Sequence, residues 1–159
     1  GLPPIKLVSI PIYADLANYV ANQLQEVGIR IQVEVIQKSL LLEQTAKSQA
    51  LFFRASWIAD YPDAESYLTV FYGGNPAPPN YTRYHNSRFD KLYEAALQEN
   101  DDSTRYSLYQ QMDQIVVEDA AVVPLFYDEV VRLVQPNVKD FYNNGMNLLE
   151  LRWVKKVKM

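Results

Sequence analysis

Cysteine is absent from the chain, which removes disulfide bonds, thiolate nucleophiles and cysteine-rich zinc sites together. Histidine occurs once, as His85, so no histidine-rich metal site can form. A lone histidine in a polar loop is expected to be solvated or locally hydrogen-bonded. Glycine is scarce, and neither Gly28 nor the Gly73-Gly74 pair has the spacing of a phosphate-cradling loop. No Gly-x-Ser-x-Gly elbow is present. Nothing approaches the roughly 18 consecutive apolar residues of a membrane-spanning helix. Positive charge is also short: 15 Lys and Arg face 19 Asp and Glu, giving a net charge of −4. That balance argues against a nucleic-acid partner, whose phosphates call for a clustered basic excess. The one basic stretch, Arg152-Trp153-Val-Lys155-Lys156-Val-Lys158, reads better as a strand edge blunted by charge. Acidic residues are plentiful, but no spacing selects a catalytic pair. No catalytic residue is assigned, and no metal or cofactor is expected.

What remains is an ordinary globular composition. The 159 residues are 48% hydrophobic and 21% charged, enough for one domain or one lobe of a larger protein. The opening Gly1-Leu2-Pro3-Pro4 is that expected of a processed or excised piece. Ile5–Ile10 reads as a strand, and Leu16, Val20, Leu24 and Val27 recur at helical spacing before Gly28. Residues 29–35 alternate apolar and polar, so a βαβ unit with parallel strands is expected. Ser39 is positioned to cap a helix to about Lys47, and Leu51–Trp57 reads as a third strand. A short helix over 64–71 and a proline-rich loop over 73–80 follow. Ser87 is the expected cap of a helix with a Phe89, Leu92, Tyr93, Leu97 stripe. Asp102 or Ser103 is the expected cap of another, which buries Leu108, Met112, Ile115 and Val116. Further strands are expected at 122–127, 130–134 and 148–154. The fold class is therefore α/β.

The segment from Leu51 to Tyr61 carries the most chemistry. A buried-type strand ends there in an aromatic, a carboxylate and a turn, and ligands of open α/β sheets bind outside the carboxyl ends of strands. Trp57 offers a pocket wall, Asp60 a negative charge and Arg54 a planar positive fork. A zwitterionic ligand such as a peptide needs both charges, and an exposed strand edge could bind its main chain. A purely structural reading stands beside this one. In it Asp60 caps the next helix, Trp57 fills core and Arg54 makes an ion pair. The 12 tyrosines fit recognition and packing alike.

Trp57-Ile-Ala-Asp60-Tyr61-Pro62-Asp63 followed by Tyr67-Leu68 resembles a signature of periplasmic oligopeptide- and dipeptide-binding proteins. The similarity continues through Asn80-Tyr-Thr-Arg-Tyr84-His-Asn86, Phe89-Asp90-Lys91-Leu92, Arg105, Leu108-Tyr109, Val123-Pro124-Leu125 and Arg132-Leu133-Val134. These are the family 5 extracellular solute-binding proteins, the receptors of ATP-driven (ABC) importers. The resemblance implies a type II periplasmic-binding-protein lobe, a mixed sheet flanked by helices and built around the N-terminal βαβ unit. It implies a longer, two-lobed receptor of which residues 1–135 form most of the second lobe. Residues 136–159 would be a tail returning to the missing first lobe. Asp60 matches the carboxylate that receives a peptide's ammonium group, and the backbone of Ala55, Ser56 and Trp57 matches the strand that pairs with the peptide. Arg54 matches a basic position near the ligand carboxylate, and Tyr61 completes the expected ligand-binding set. Ser56 stands where glycine is common. The implied partners are a peptide, the first lobe and a membrane permease, in the periplasm or another extracytoplasmic space, with a lipid anchor left open. A receptor for a metal complex or an oligosaccharide is the first alternative, and a hydrolase fragment or interaction module the second. Leu149, Leu151 and Trp153 share one strand face and leave a dimer through the tail open.

Overall fold

The computed structural model describes residues 3–145 and 147–158. Strand β1 (Ile5–Ser9) runs parallel to β2 (Ile31–Val35), with Leu7 opposite Val33. Helix α1 (Ala14–Glu26) makes the crossover and follows a single 3-10 turn, Pro11–Tyr13, where Pro11's fixed φ suits a first helical position. Gly28, at φ 84°, turns the chain out of α1 in the left-handed region that costs glycine little. The βαβ expectation holds, and β1 is its buried strand: Leu7, Val8 and Ser9 are all 4% exposed or less.

Helix α2 (Lys38–Ala46) covers this sheet through Leu41, which packs with Val8 and Ala50. Ser39 does not cap it. The cap position is Gln37, with no side-chain bond, and Ser39 lies inside the first turn. The third strand is also shorter than expected. Only Phe53 bridges Val8, in parallel, through Val8 N–H to the Phe52 carbonyl and Arg54 N–H to the Val8 carbonyl, both 3.0 Å. Beyond Arg54 the chain leaves the ladder.

The second half is helical. Helix α3 (Glu65–Leu68) continues into a 3-10 turn, Thr69–Phe71. Helices α4 (Ser87–Gln98) and α5 (Asp102–Glu118) pack against it and against each other. The caps fall earlier than expected, at Asn86 in place of Ser87 and at Asp101 in place of Asp102 or Ser103. Asn86 accepts from the amides of Arg88 and Phe89, and Asp101 accepts from that of Thr104. Phe89 and Met112 are fully buried, beside Leu68, Tyr93, Ala96, Tyr109, Ile115 and Val116. Leu97 is 61% exposed, so Ala96 takes the inward position that the stripe gave to Leu97.

The three later strands are not formed. Residues 123–134 hold no regular structure and no main-chain hydrogen bond among the described residues, and 148–154 likewise hold no strand. β-propensity needs a neighbouring ladder to act on, and Pro124 cannot donate to one. A two-residue antiparallel pair, β3 (Val138–Lys139) with β4 (Lys155–Lys156), closes the tail on itself. The α/β class and the helix-flanked sheet stand, with parallel and antiparallel pairing divided between two small sheets.

Candidate functional site

The expected ligand segment starts where the chain departs from β1. Arg54 lies flat over Tyr13, with Cζ 3.3 Å from the ring centroid, and its Nη1 donates to Ser56 Oγ at 3.2 Å. No carboxylate pairs with it among the described residues, so the structural ion pair is not what holds Arg54. A guanidinium stacked on an aromatic face keeps most of its donors free. Ala55 and Ser56 are exposed. No hydrogen bond among the described residues reaches the main chain of Ala55, Ser56 or Trp57. That stretch is an open edge of the kind an extended peptide can pair with.

Trp57 is half-buried, outside either core cluster, and its indole Nε1 donates to the Ser66 carbonyl at 2.7 Å. Asp60 is exposed. Its amide donates to Ser66 Oγ at 2.9 Å, while its carboxylate has no partner among the described residues. The cap position of α3 is Ala64, and the aspartate that bonds the first helical amide is Asp63, not Asp60. Asp63 Oδ1 accepts from the Glu65 amide at 2.9 Å, and Oδ2 meets Arg105 Nη1 at 2.5 Å. Burial alone would raise the Asp63 carboxyl, but the Glu65 amide, Arg105 and Tyr109 outweigh it and hold the group below the usual aspartate range. Arg105 also bonds Asp102 at 2.8 Å, and the two carboxylates keep it firmly charged.

Tyr61 is 45% exposed and turns toward α4 and α5. It lines a shallow pocket of about 200 Å³ with Asp63, Glu65, Glu99 and Arg105, which includes neither Trp57 nor Asp60. The fold thus groups Arg54, Ala55, Ser56, Trp57 and Asp60 along one loop and sets the Tyr61 ring apart. Sequence reasoning missed Tyr13, Ser66 and the Asp63–Arg105 pair. The only signal was that Asp63 and Arg105 both fall within the family resemblance. His85 lies 3.0 Å from Asp90 and stays at the surface, locally paired as expected. Among the described residues no three His, Asp or Glu converge as metal ligands, and no helix is long and apolar enough to cross a membrane.

No family model matches the chain. Curated relatives do. The dipeptide-binding protein DppE of Bacillus subtilis is 27% identical over 158 residues, which is 98% of this chain and 29% of that protein. Solved structures that the chain resembles are family 5 extracellular solute-binding proteins. A second relative, a probable deoxycholate-binding periplasmic protein of Escherichia coli, is 27% identical over 114 residues, 72% of the chain and 21% of the relative. The murein tripeptide binding protein MppA of Escherichia coli superposes with a TM-score of 0.86 at 22% identity, over 98% of this chain and 31% of that one. That likeness establishes the fold, a part of the type II binding-protein architecture. The chain thus spans less than a third of the length of each of these three proteins. These relatives are named as binding proteins, not as enzymes.

Proposed function

We propose that this chain supplies part of the ligand-binding lobe of a peptide receptor for an ABC importer. In this reading the receptor works in the periplasm or its extracytoplasmic equivalent, free or lipid-anchored. It acts by capture without chemistry: two lobes close on the peptide and the closed form docks on a membrane permease. The observation that carries the reading is the exposed carboxylate of Asp60, without a partner among the described residues, on the same loop as the main chain of Ala55–Trp57, which is unpaired among them. Asp60 receives the ammonium group, the open edge pairs with the peptide backbone, and Trp57 shapes a side-chain pocket. Arg54 offers its free donors to a ligand carboxylate, and Tyr61 contributes at the margin. Residues 1–135 make up most of the second lobe, and 136–159 pack on the first. The exposure of Leu149, Leu151 and Trp153 supports that packing, and without the first lobe the same side chains are open to pairing with a second copy.

The relative named for deoxycholate keeps a second reading alive, a non-peptide solute within the same family. A ligand without an amino group has no use for Asp60. Calorimetry on the full-length receptor and its Asp60→Ala variant, with trialanine as probe, separates the two. A charge-assisted bond is worth about 1.5–3 kcal/mol, so the variant is expected to bind roughly 10- to 100-fold more weakly. Unchanged affinity would remove Asp60 from the anchor, and a parent receptor that does not bind trialanine would favour the second reading.

A further inference from the structure

We propose that Ser66 is the positioning residue of the ligand anchor, and that its hydroxyl sets discrimination between free and blocked peptide N-termini. The inference rests on the reading of Asp60 above and extends it to a residue that touches no ligand. Ser66 is 1% exposed, on the single turn of α3, yet its polar groups reach back to the binding loop. Oγ takes the Asp60 amide and the carbonyl takes the Trp57 indole. Among the described residues these are the only hydrogen bonds made by residues 57–60. The far side of α3 is fixed. Glu65 bonds the Tyr93 hydroxyl, Asp63 meets Arg105, and Leu68 sits in the core with Phe89 and Met112. A rigid helical unit and a lightly held anchor are therefore joined at one serine.

Its two arms differ in kind. The carbonyl arm to Trp57 survives any side chain at position 66, whereas the hydroxyl arm to Asp60 belongs to serine. Asp60 is exposed, so without that arm its amide turns to water rather than lying buried and unsatisfied. Loss of the hydroxyl should thus free the carboxylate to wander while the fold stays intact. A charged anchor is strong only when it is held where the ammonium arrives.

The test uses the full-length receptor with trialanine and N-acetyltrialanine, measured by calorimetry alongside thermal melting. Ser66→Ala is expected to cut the preference for the free amine about 3- to 10-fold, one hydrogen bond's worth, with the melting midpoint near that of the parent. Ser66→Thr, which keeps a hydroxyl, should retain the preference. In an Asp60→Asn background, Ser66→Ala should add nothing, because both changes act on one anchor. Equal weakening toward both peptides, or full additivity with Asp60→Asn, would refute the role of Ser66. An Asp60→Asn variant that keeps the free-amine preference would instead overturn the anchor itself, and this proposal with it. Should Ser66→Ala not fold, Ser66→Cys decides by the same comparison, since a thiol of similar size is a weak acceptor.

Discussion

Replacing Asp63 should show that α3 is held by two separable contacts. Oδ1 accepts the Glu65 amide and Oδ2 accepts Arg105, on a side chain 23% exposed. Asp63→Asn keeps an oxygen for the amide and loses the charge that faces Arg105. Asp63→Ala loses both. A hydrogen bond to a charged acceptor is worth about 1.5–3 kcal/mol, and partial exposure lowers this to about 1–2 kcal/mol for the amide contact. Asp63→Ala should therefore destabilise the full-length receptor by at least that amount at pH 7, with the lost Arg105 contact adding in the same direction. Asp63→Asn should cost clearly less.

The pH dependence gives an independent check. Asp63 holds its proton less tightly folded than unfolded, because the amide and Arg105 favour the charged form. Its contribution is complete above the ordinary aspartate value near pH 4 and is lost as pH falls through the lower folded value. Urea unfolding of parent and variants between pH 7 and pH 2.5 measures the gap. The difference between parent and Asp63→Asn should narrow as pH falls through that range. A constant gap, or equal losses for the Asn and Ala variants, would refute the division of labour between the two oxygens.

Two further substitutions probe the frame. Phe89 is fully buried with its ring edge-on to Phe71 and Tyr84, so Phe89→Ala should cost about 3–5 kcal/mol in chemical denaturation. Gly28→Ala meets no atom within 4 Å, so its cost is that of the left-handed backbone alone. A loss of about 1–2 kcal/mol is expected by the same measurement.

The βαβ unit was legible because its periods change from two to 3.6 and back, with Gly28 marking one boundary. The caps of α4 and α5 slipped to earlier residues because adjacent side chains of equal ability compete there. The extended backbone at Asn86 and Asp101 selects the winner, and composition does not reveal it. Residues 122–134 have strand propensity, but a strand is a property of two segments, and its second segment does not lie alongside among the described residues. In the site, two aspartates three residues apart offered one capping role and one free charge. Local pattern put only Asp60 forward for the helix start, whereas it is Asp63 that bonds the Glu65 amide. Ser66 was illegible for a simpler reason. A serine within a short helix announces nothing until the loop it faces is known.

The bare stretch over residues 123–134 has a colloidal consequence. Tyr127 and Leu133 are 97% exposed and Val131 84%, along a backbone with unused donors and acceptors. Such a segment is a template for any other β-capable chain it meets. Pro124, Asp128, Glu129 and Arg132 interrupt it at short intervals and serve as gatekeepers, one by withholding a donor and three by charge. Dispersal of the chain at high concentration thus draws on four residues that lie outside the proposed ligand loop.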